Sequence, residues 1–208
     1  MKAKFFKVVL GIFILDNLGM AEYVKRNNEI YYKYGKEDDI GFKVENVDLN
    51  TFKILNDKYA KDGKSVYFLG NKSFEDVDIK TFEVMPQYYS RDKNNVYRPI
   101  NEWIQKINGA NPKTIKVLSQ YYSKDDKNVY VAGEIVKGAD PKTFRRISET
   151  NYARDKNNLY YYYGEDKFLG KINENNFKIL DSKLIKNGNE MYYSGEKANI
   201  KNPENLNQ

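Results

Sequence analysis

The chain has 208 residues, 40% of them hydrophobic and 31% charged, a net charge of +6, and neither Cys nor His. Without those two residue types no disulfide framework, no Cys/His zinc site and no Ser–His or Cys–His nucleophile pair can form. The 35 Lys+Arg and 29 Asp+Glu alternate along the chain, which describes a mixed, solvated surface rather than the one-sided basic face of a nucleic-acid binder.

Residues 1–21 read as a secretory leader. Lys2, Lys4 and Lys7 form a basic start, Val8 to Leu15 an apolar run, and Gly19-Met20-Ala21 a small-residue cleavage site. The run is too short to span a bilayer. The expected mature chain starts at Glu22 and forms a single repeat domain over 22–208, with no transmembrane span.

That domain is built from one motif written six times. YVKRNNEIY (23–31), YAKDGKSVY (59–67), YSRDKNNVY (89–97), YSKDDKNVY (122–130), YARDKNNLY (152–160) and LIKNGNEMY (184–192) each open on Tyr or Leu and close on Tyr. Each has Lys or Arg at the third position and an aliphatic residue or Met before the last Tyr. Self-similarity at this period marks a repeat architecture. Tyr and β-branched residues flank a polar centre, so each copy reads as a β-hairpin. Asp62, Asp92, Asp125 and Asp155 supply turn chemistry, because Asp bonds its own downstream backbone. Gly63, Gly188, Asn27 and Asp126 stand where copy three has Lys93, which predicts a left-handed backbone there, as in a primed two-residue turn, with a three-residue loop and bulge as the alternative.

A second element follows each hairpin: VDLNTFKIL (47–55), VDIKTFEVM (77–85), ANPKTIKVL (110–118), ADPKTFRRI (139–147) and INENNFKIL (172–180). Asp48, Asp78, Asn111, Asp140 and Asn173 are N-cap residues. Pro112 and Pro141 sit where a first helical turn tolerates Pro. Phe52, Phe82, Ile115, Phe144 and Phe177 pair with the residue before the cap as hydrophobic staples. The pattern predicts two-turn helices docked on a neighbour, since helices this short are unstable alone. A variable stretch between hairpin and helix, such as PINEWIQKING, predicts a turn and a short third strand. The expected fold is therefore α+β and β-rich, an elongated tandem array of about six ββ(β)α units of roughly 31 residues. A closed propeller-like ring is the alternative.

From DKNNVY (92–97), with DDKNVY (125–130) and DKNNLYYY (155–162), the chain resembles the bacterial DKNYY repeat family. The resemblance spans essentially residues 23–208; the first copy has Arg26 in place of the Asp and the sixth is degenerate. Members of that family are commonly predicted to be exported, and no biochemical activity defines it. The resemblance implies repeats and export, and carries over no catalytic residue.

A calcium reading of the Asp/Asn turns is poorly supported by spacing. An EF-hand needs an acid eleven positions after its first ligand; from Asp92 that position is Trp103, from Asp125 it is Val136, and only Asp155 finds an acid, Asp166, so turn formation is the favoured reading. No cofactor is expected. The Tyr ladder is the candidate binding surface, comprising Tyr89, Tyr97, Tyr122, Tyr130, Tyr160 and Tyr162, with Trp103, the single Trp, in a variable stretch. One strand face belongs in the core, and the other presents a wet aromatic stripe suited to protein or glycan. The expected function is non-enzymatic binding by an exported envelope repeat protein, to an unidentified envelope or host protein or glycan. A groove enzyme or inhibitor using Tyr and carboxylates, and a structural spacer, are the alternatives.

Overall fold

The computed structural model describes residues 22–35, 41–73, 76–164 and 166–198. The leader and the last ten residues lie outside that range. Among the described residues the chain forms six antiparallel meanders, one of three strands and five of four. Unit 1 holds Glu22–Arg26, Glu29–Lys33 and Phe42–Lys43. Unit 2 holds Lys53–Ile54, Tyr59–Lys61, Val66–Phe68 and Asn71–Ser73. Unit 3 holds Glu83–Val84, Ser90–Arg91, Val96–Ile100 and Trp103–Lys106. Unit 4 holds Lys116–Val117, Tyr122–Lys124, Val129–Val131 and Glu134–Ile135. Unit 5 holds Arg145–Arg146, Tyr152–Arg154, Asn158–Tyr162 and Asp166–Lys171. Unit 6 holds Phe177–Ile179, Leu184–Asn187, Glu190–Tyr193 and Glu196–Ala198.

The repeats and their hairpins are present, but the α component of the expected ββ(β)α unit is not. Among the described residues the helical segments are two single 3-10 turns, Pro86–Tyr88 and Glu174–Asn176. Each cap does open a turn: Thr51 N–H donates to Asp48 O, and Phe144 N–H to Asp140 O. The chain then extends and becomes the first strand of the next sheet. Two features decide this. Ten or eleven residues separate the cap from the next unit's opening residue, room for about two turns, and a helix that short does not recover the cost of nucleation. Extension instead lets Lys53 and Ile54 pair with Lys61 and Ala60, and β-branched and aromatic residues suit that state. Phe82 and Phe144 are buried as the staple expectation required, but from the extended residue just before a strand.

Five apolar clusters fill the spaces between successive sheets. Most of them repeat one arrangement. The opening Tyr of one unit meets the Phe and the closing Tyr of the next: Tyr59, Phe82 and Tyr97, with ring centroids 5.9 and 6.5 Å apart, and Tyr122, Phe144 and Tyr160, at 5.8 and 5.4 Å. Between units 3 and 4 Ile115 replaces the Phe. Inner sheets are therefore covered on both faces, and Val66-Tyr67-Phe68 and Val129-Tyr130-Val131 are buried at every position. A sheet covered twice loses the alternation of buried and exposed residues that marks a one-sided sheet. The first sheet differs on its outer side, where ion pairs Lys33–Glu22 and Lys43–Glu29 stand and Tyr31 bonds Glu29. A polar outer face is what a terminal capping repeat needs.

The units alternate in pairs. In units 2, 4 and 6 the last two strands join through Leu69-Gly70, Ala132-Gly133 and Ser194-Gly195, all with positive φ. These glycines lodge against the preceding unit. A Cβ on Gly70 would lie 2.6 Å from Tyr32 Cβ, and one on Gly195 2.2 Å from the Tyr161 ring. Only Gly meets both the φ and the close approach. In units 3 and 5 the third strand runs on for five residues, so the tips of the odd units project past those of the even ones.

Candidate functional site

The repeated Asp is a hub for the turns of its own unit. Asp92 Oδ1 accepts the N–H groups of Asn94 and Asn95, both at 2.7 Å, while Oδ2 accepts Asp78 N–H at 2.9 Å and the Tyr97 hydroxyl at 2.8 Å. Asp62 does the same with Lys64, Ser65, Asp48 and Tyr67. Asp125 takes Lys127, Asn128, Asn111 and Tyr130, and Asp155 takes Asn157, Asn158, Asp140 and Tyr160. One carboxylate thus joins the hairpin turn to the cap turn 14 or 15 residues upstream. Unit 6 substitutes an amide: Asn187 Oδ1 accepts Asn173 N–H at 2.7 Å and its Nδ2 donates to Lys171 O at 2.9 Å.

Burial pushes the pKa of these four Asp up, and the hydrogen bonds, led by the cap-residue N–H, outweigh it and hold them below the ordinary carboxylate value. The partnering phenols move the other way. Burial, then the bond to Asp125, pushes Tyr130 up to about 12, and the same two causes raise Tyr67, Tyr97 and Tyr160.

Because the carboxylate supplies the acceptors, the hairpin turn need not be left-handed. Positive φ occurs at Asn27, Asn28 and Gly188, as the primed-turn reading expects, but not at Gly63, Lys93, Asp126 or Lys156. In units 2 to 5 the side chain does the work that backbone handedness does in units 1 and 6.

The other signature positions connect one unit to the next. The opening Tyr donates its hydroxyl to the loop before the next unit's second strand: Tyr23 to Lys58 O, Tyr59 to Tyr88 O, Tyr122 to Asn151 O and Tyr152 to Lys183 O, at 3.2, 2.7, 2.7 and 2.9 Å. The third-position base reaches the next unit's cap turn. Lys61 Nζ donates to Ile79 O, Arg91 to Pro112 O and Lys124 to Phe144 O, while Arg154 pairs with the Glu174 carboxylate. The sequence reading missed a further set. Thr51, Thr81 and Thr143 use Oγ1 to accept the N–H of Gly63, Lys93 and Lys156 at the hairpin turn. The signal was there, a Thr three residues after each of four caps.

The Tyr ladder proposed for binding lies inside the stack. Tyr89, Tyr97, Tyr122, Tyr130 and Tyr160 are buried, and Tyr162 is half-buried with its ring 4.8 Å from Tyr121. Trp103 is 61% exposed at the tip of unit 3, cross-strand from the exposed Ile100. Of the other exposed aromatics among the described residues, Tyr34 and Phe42 belong to unit 1 and Tyr163 and Phe168 to unit 5, while Tyr193 stands at the tip of unit 6.

The family model for DKNYY matches residues 23–164, more than half of the chain. The chain belongs to the DKNYY family. The residues that give DKNYY repeats their signature are thus the hub Asp, its turn and its phenol partner in units 2 to 5. No curated protein and no solved structure matches the chain. Among the described residues no helix is long and apolar enough to cross a membrane.

Proposed function

We propose that this DKNYY protein is an exported, non-enzymatic repeat scaffold that recognises an envelope or host partner, protein or glycan, through the projecting tips of its odd units. One observation carries the reading. The signature side chains are consumed in holding the stack together, while five of the six exposed aromatics among the described residues, Trp103 among them, belong to odd units. Exposed aromatics of this kind offer large contact area at little entropic cost. The four hub carboxylates have both oxygens taken by N–H and O–H donors, which favours scaffolding over acid–base work. Export is supported by the leader pattern and by a family match that starts at residue 23.

Trp103 is the single Trp, so its fluorescence reports on one tip alone. Titration with the native envelope fraction should shift its emission to the blue, and Trp103→Ala should weaken co-sedimentation with that fraction. Protease treatment of the fraction separates a protein partner from a glycan. An unmoved emission and unchanged sedimentation of the variant would remove the tips from the reading. Native protein starting at Glu22 tests export.

A further inference from the structure

A cleft of about 510 Å³ opens between unit 4 and the cap turn of unit 5. Four lysines line it: Lys113 and Lys116 after the unit 4 cap, Lys124 at the third position of the signature, and Lys142 after the unit 5 cap. The register places Lys116 directly across from Lys124, and like charges so opposed destabilise a sheet. Burial, then the Lys116 charge, holds the Lys124 ammonium below its ordinary pKa.

The carboxylates of the lining do not relieve this. Asp125 is the unit 4 hub with both oxygens taken, and Asp126 accepts from the Thr114 hydroxyl and the Asn111 amide. Asp140, whose field also reaches Lys124, pairs with Lys156. Among the described residues Lys113, Lys116 and Lys142 have no anionic partner. Lys124 donates to Phe144 O and keeps two further N–H groups.

The equivalent places in the neighbouring units are neutralised or broken. In unit 2 Asn50 stands where unit 4 has Lys113. In unit 3 Glu83 stands where unit 4 has Lys116, and it pairs with Arg91. In unit 5 Asn175 stands where unit 4 has Lys142, and Arg154 pairs with Glu174. Of units 2 to 5, only unit 4 has four bases and no acid at these places. Four ammonium groups against the two lining carboxylates leave two positive charges, the complement of a phosphate dianion. Lysine is a compact point charge that suits phosphate.

We propose that this cleft binds a phosphate group, held by the ammonium groups of Lys113, Lys116, Lys124 and Lys142. The site lies at the cap turns, apart from the odd-unit tips, and gives the array a second binding surface.

The test is amide NMR of the full chain, titrated with inorganic phosphate and, at matched ionic strength, with sodium chloride. The expected result is saturable shifts confined to residues 113–116, 124–126 and 141–142. Lys116→Gln should bind phosphate about fivefold more weakly, the scale of one partly exposed ion pair. Lys53→Gln, at the same place in unit 2, should bind like the wild type. Phosphate should raise the melting temperature of the wild type. Without phosphate Lys116→Gln should melt no lower than the wild type, because it removes a cross-strand repulsion. Vesicles of phosphatidylglycerol in phosphatidylcholine distinguish the source. Co-sedimentation that is lost in Lys116→Gln assigns the phosphate to a lipid headgroup, and vesicles that do not separate the two proteins assign it to a soluble or polymer-borne ester. Shifts no larger than with chloride, shifts spread over the lysines of every unit, or equal affinity of wild type and Lys116→Gln overturn the site. The recognition reading rests on the tips and is decided separately by the Trp103 titration.

Discussion

A carboxylate that accepts four hydrogen bonds is the chemical centre of each inner unit. Bonds to an ionised group are stronger than neutral ones, at about 1.5–3 kcal/mol each. In Tyr97→Phe the ring still packs against Phe82, but Asp92 Oδ2 loses one of its two donors. A loss of about 1–3 kcal/mol in urea unfolding is expected, and an unchanged midpoint would show that the phenol is a spectator. The pH response has a definite sign. The hub Asp are held below their ordinary pKa in the fold, so the unfolded chain takes up protons first as acid is added. Their contribution is complete above the unfolded value of about 3.9 and is lost as pH falls through the depressed folded values. Raised Tyr values act at the other end, their contribution being lost as pH climbs above about 10. Melting temperature followed across pH should show a plateau with both limbs; a flat acid limb would contradict the hub.

Among the elements, the cap-and-strand segment shows how far local chemistry could be followed. The caps, the staple-position Phe and the need to dock were all legible, because Asp140 does turn the chain and Phe144 is buried. The helix was not, since ADPKTFRRI places Phe144 and Ile147 three apart, a spacing that fits a helical turn and equally two buried residues flanking the two-residue strand Arg145–Arg146. The competing gain, ladder bonds from Arg145 and Arg146 to the next hairpin, is a tertiary term that no nine-residue window contains. Phe144 packs between Tyr122 and Tyr160, so Phe144→Ala should cost about 3–5 kcal/mol. A cost below about 1 kcal/mol in the same unfolding experiment would place the ring elsewhere. The hairpins were legible because alternation and turn residues are local. That both faces of each inner hairpin are covered was not, because it depends on the neighbours in the stack, and so the Tyr stripe was assigned to solvent.

Across the whole molecule the signature divides its labour. Asp, its turn and the closing Tyr hold one unit together, while the opening Tyr and the third-position base fasten it to the next. Stability in such arrays is a sum of unit and interface terms, so a change at one hub is felt by its neighbours as well. Ile100, Trp103 and Tyr163 at the odd-unit tips carry none of these bonds, whereas Gly70 and Gly195 at even-unit tips donate N–H to the opening Tyr23 and Tyr152. The repeat period was legible in the sequence, but the pairing of units was not: Tyr32 and Tyr161 are replaced by Arg98 in the middle pair, yet each backs a glycine tip of the following unit. The decisive measurement is the urea unfolding of Asp125→Ala beside Trp103→Ala. Removing Asp125 strands the N–H groups of Asn111, Lys127 and Asn128 and takes one of the two acceptors from the Tyr130 hydroxyl, and should cost at least about 3 kcal/mol. Trp103→Ala should stay within about 0.5 kcal/mol of the wild type, as exposed positions do. A tolerated Asp125 substitution, or a Trp103 variant as damaged as the hub variant, would contradict the division between scaffold and recognition tips.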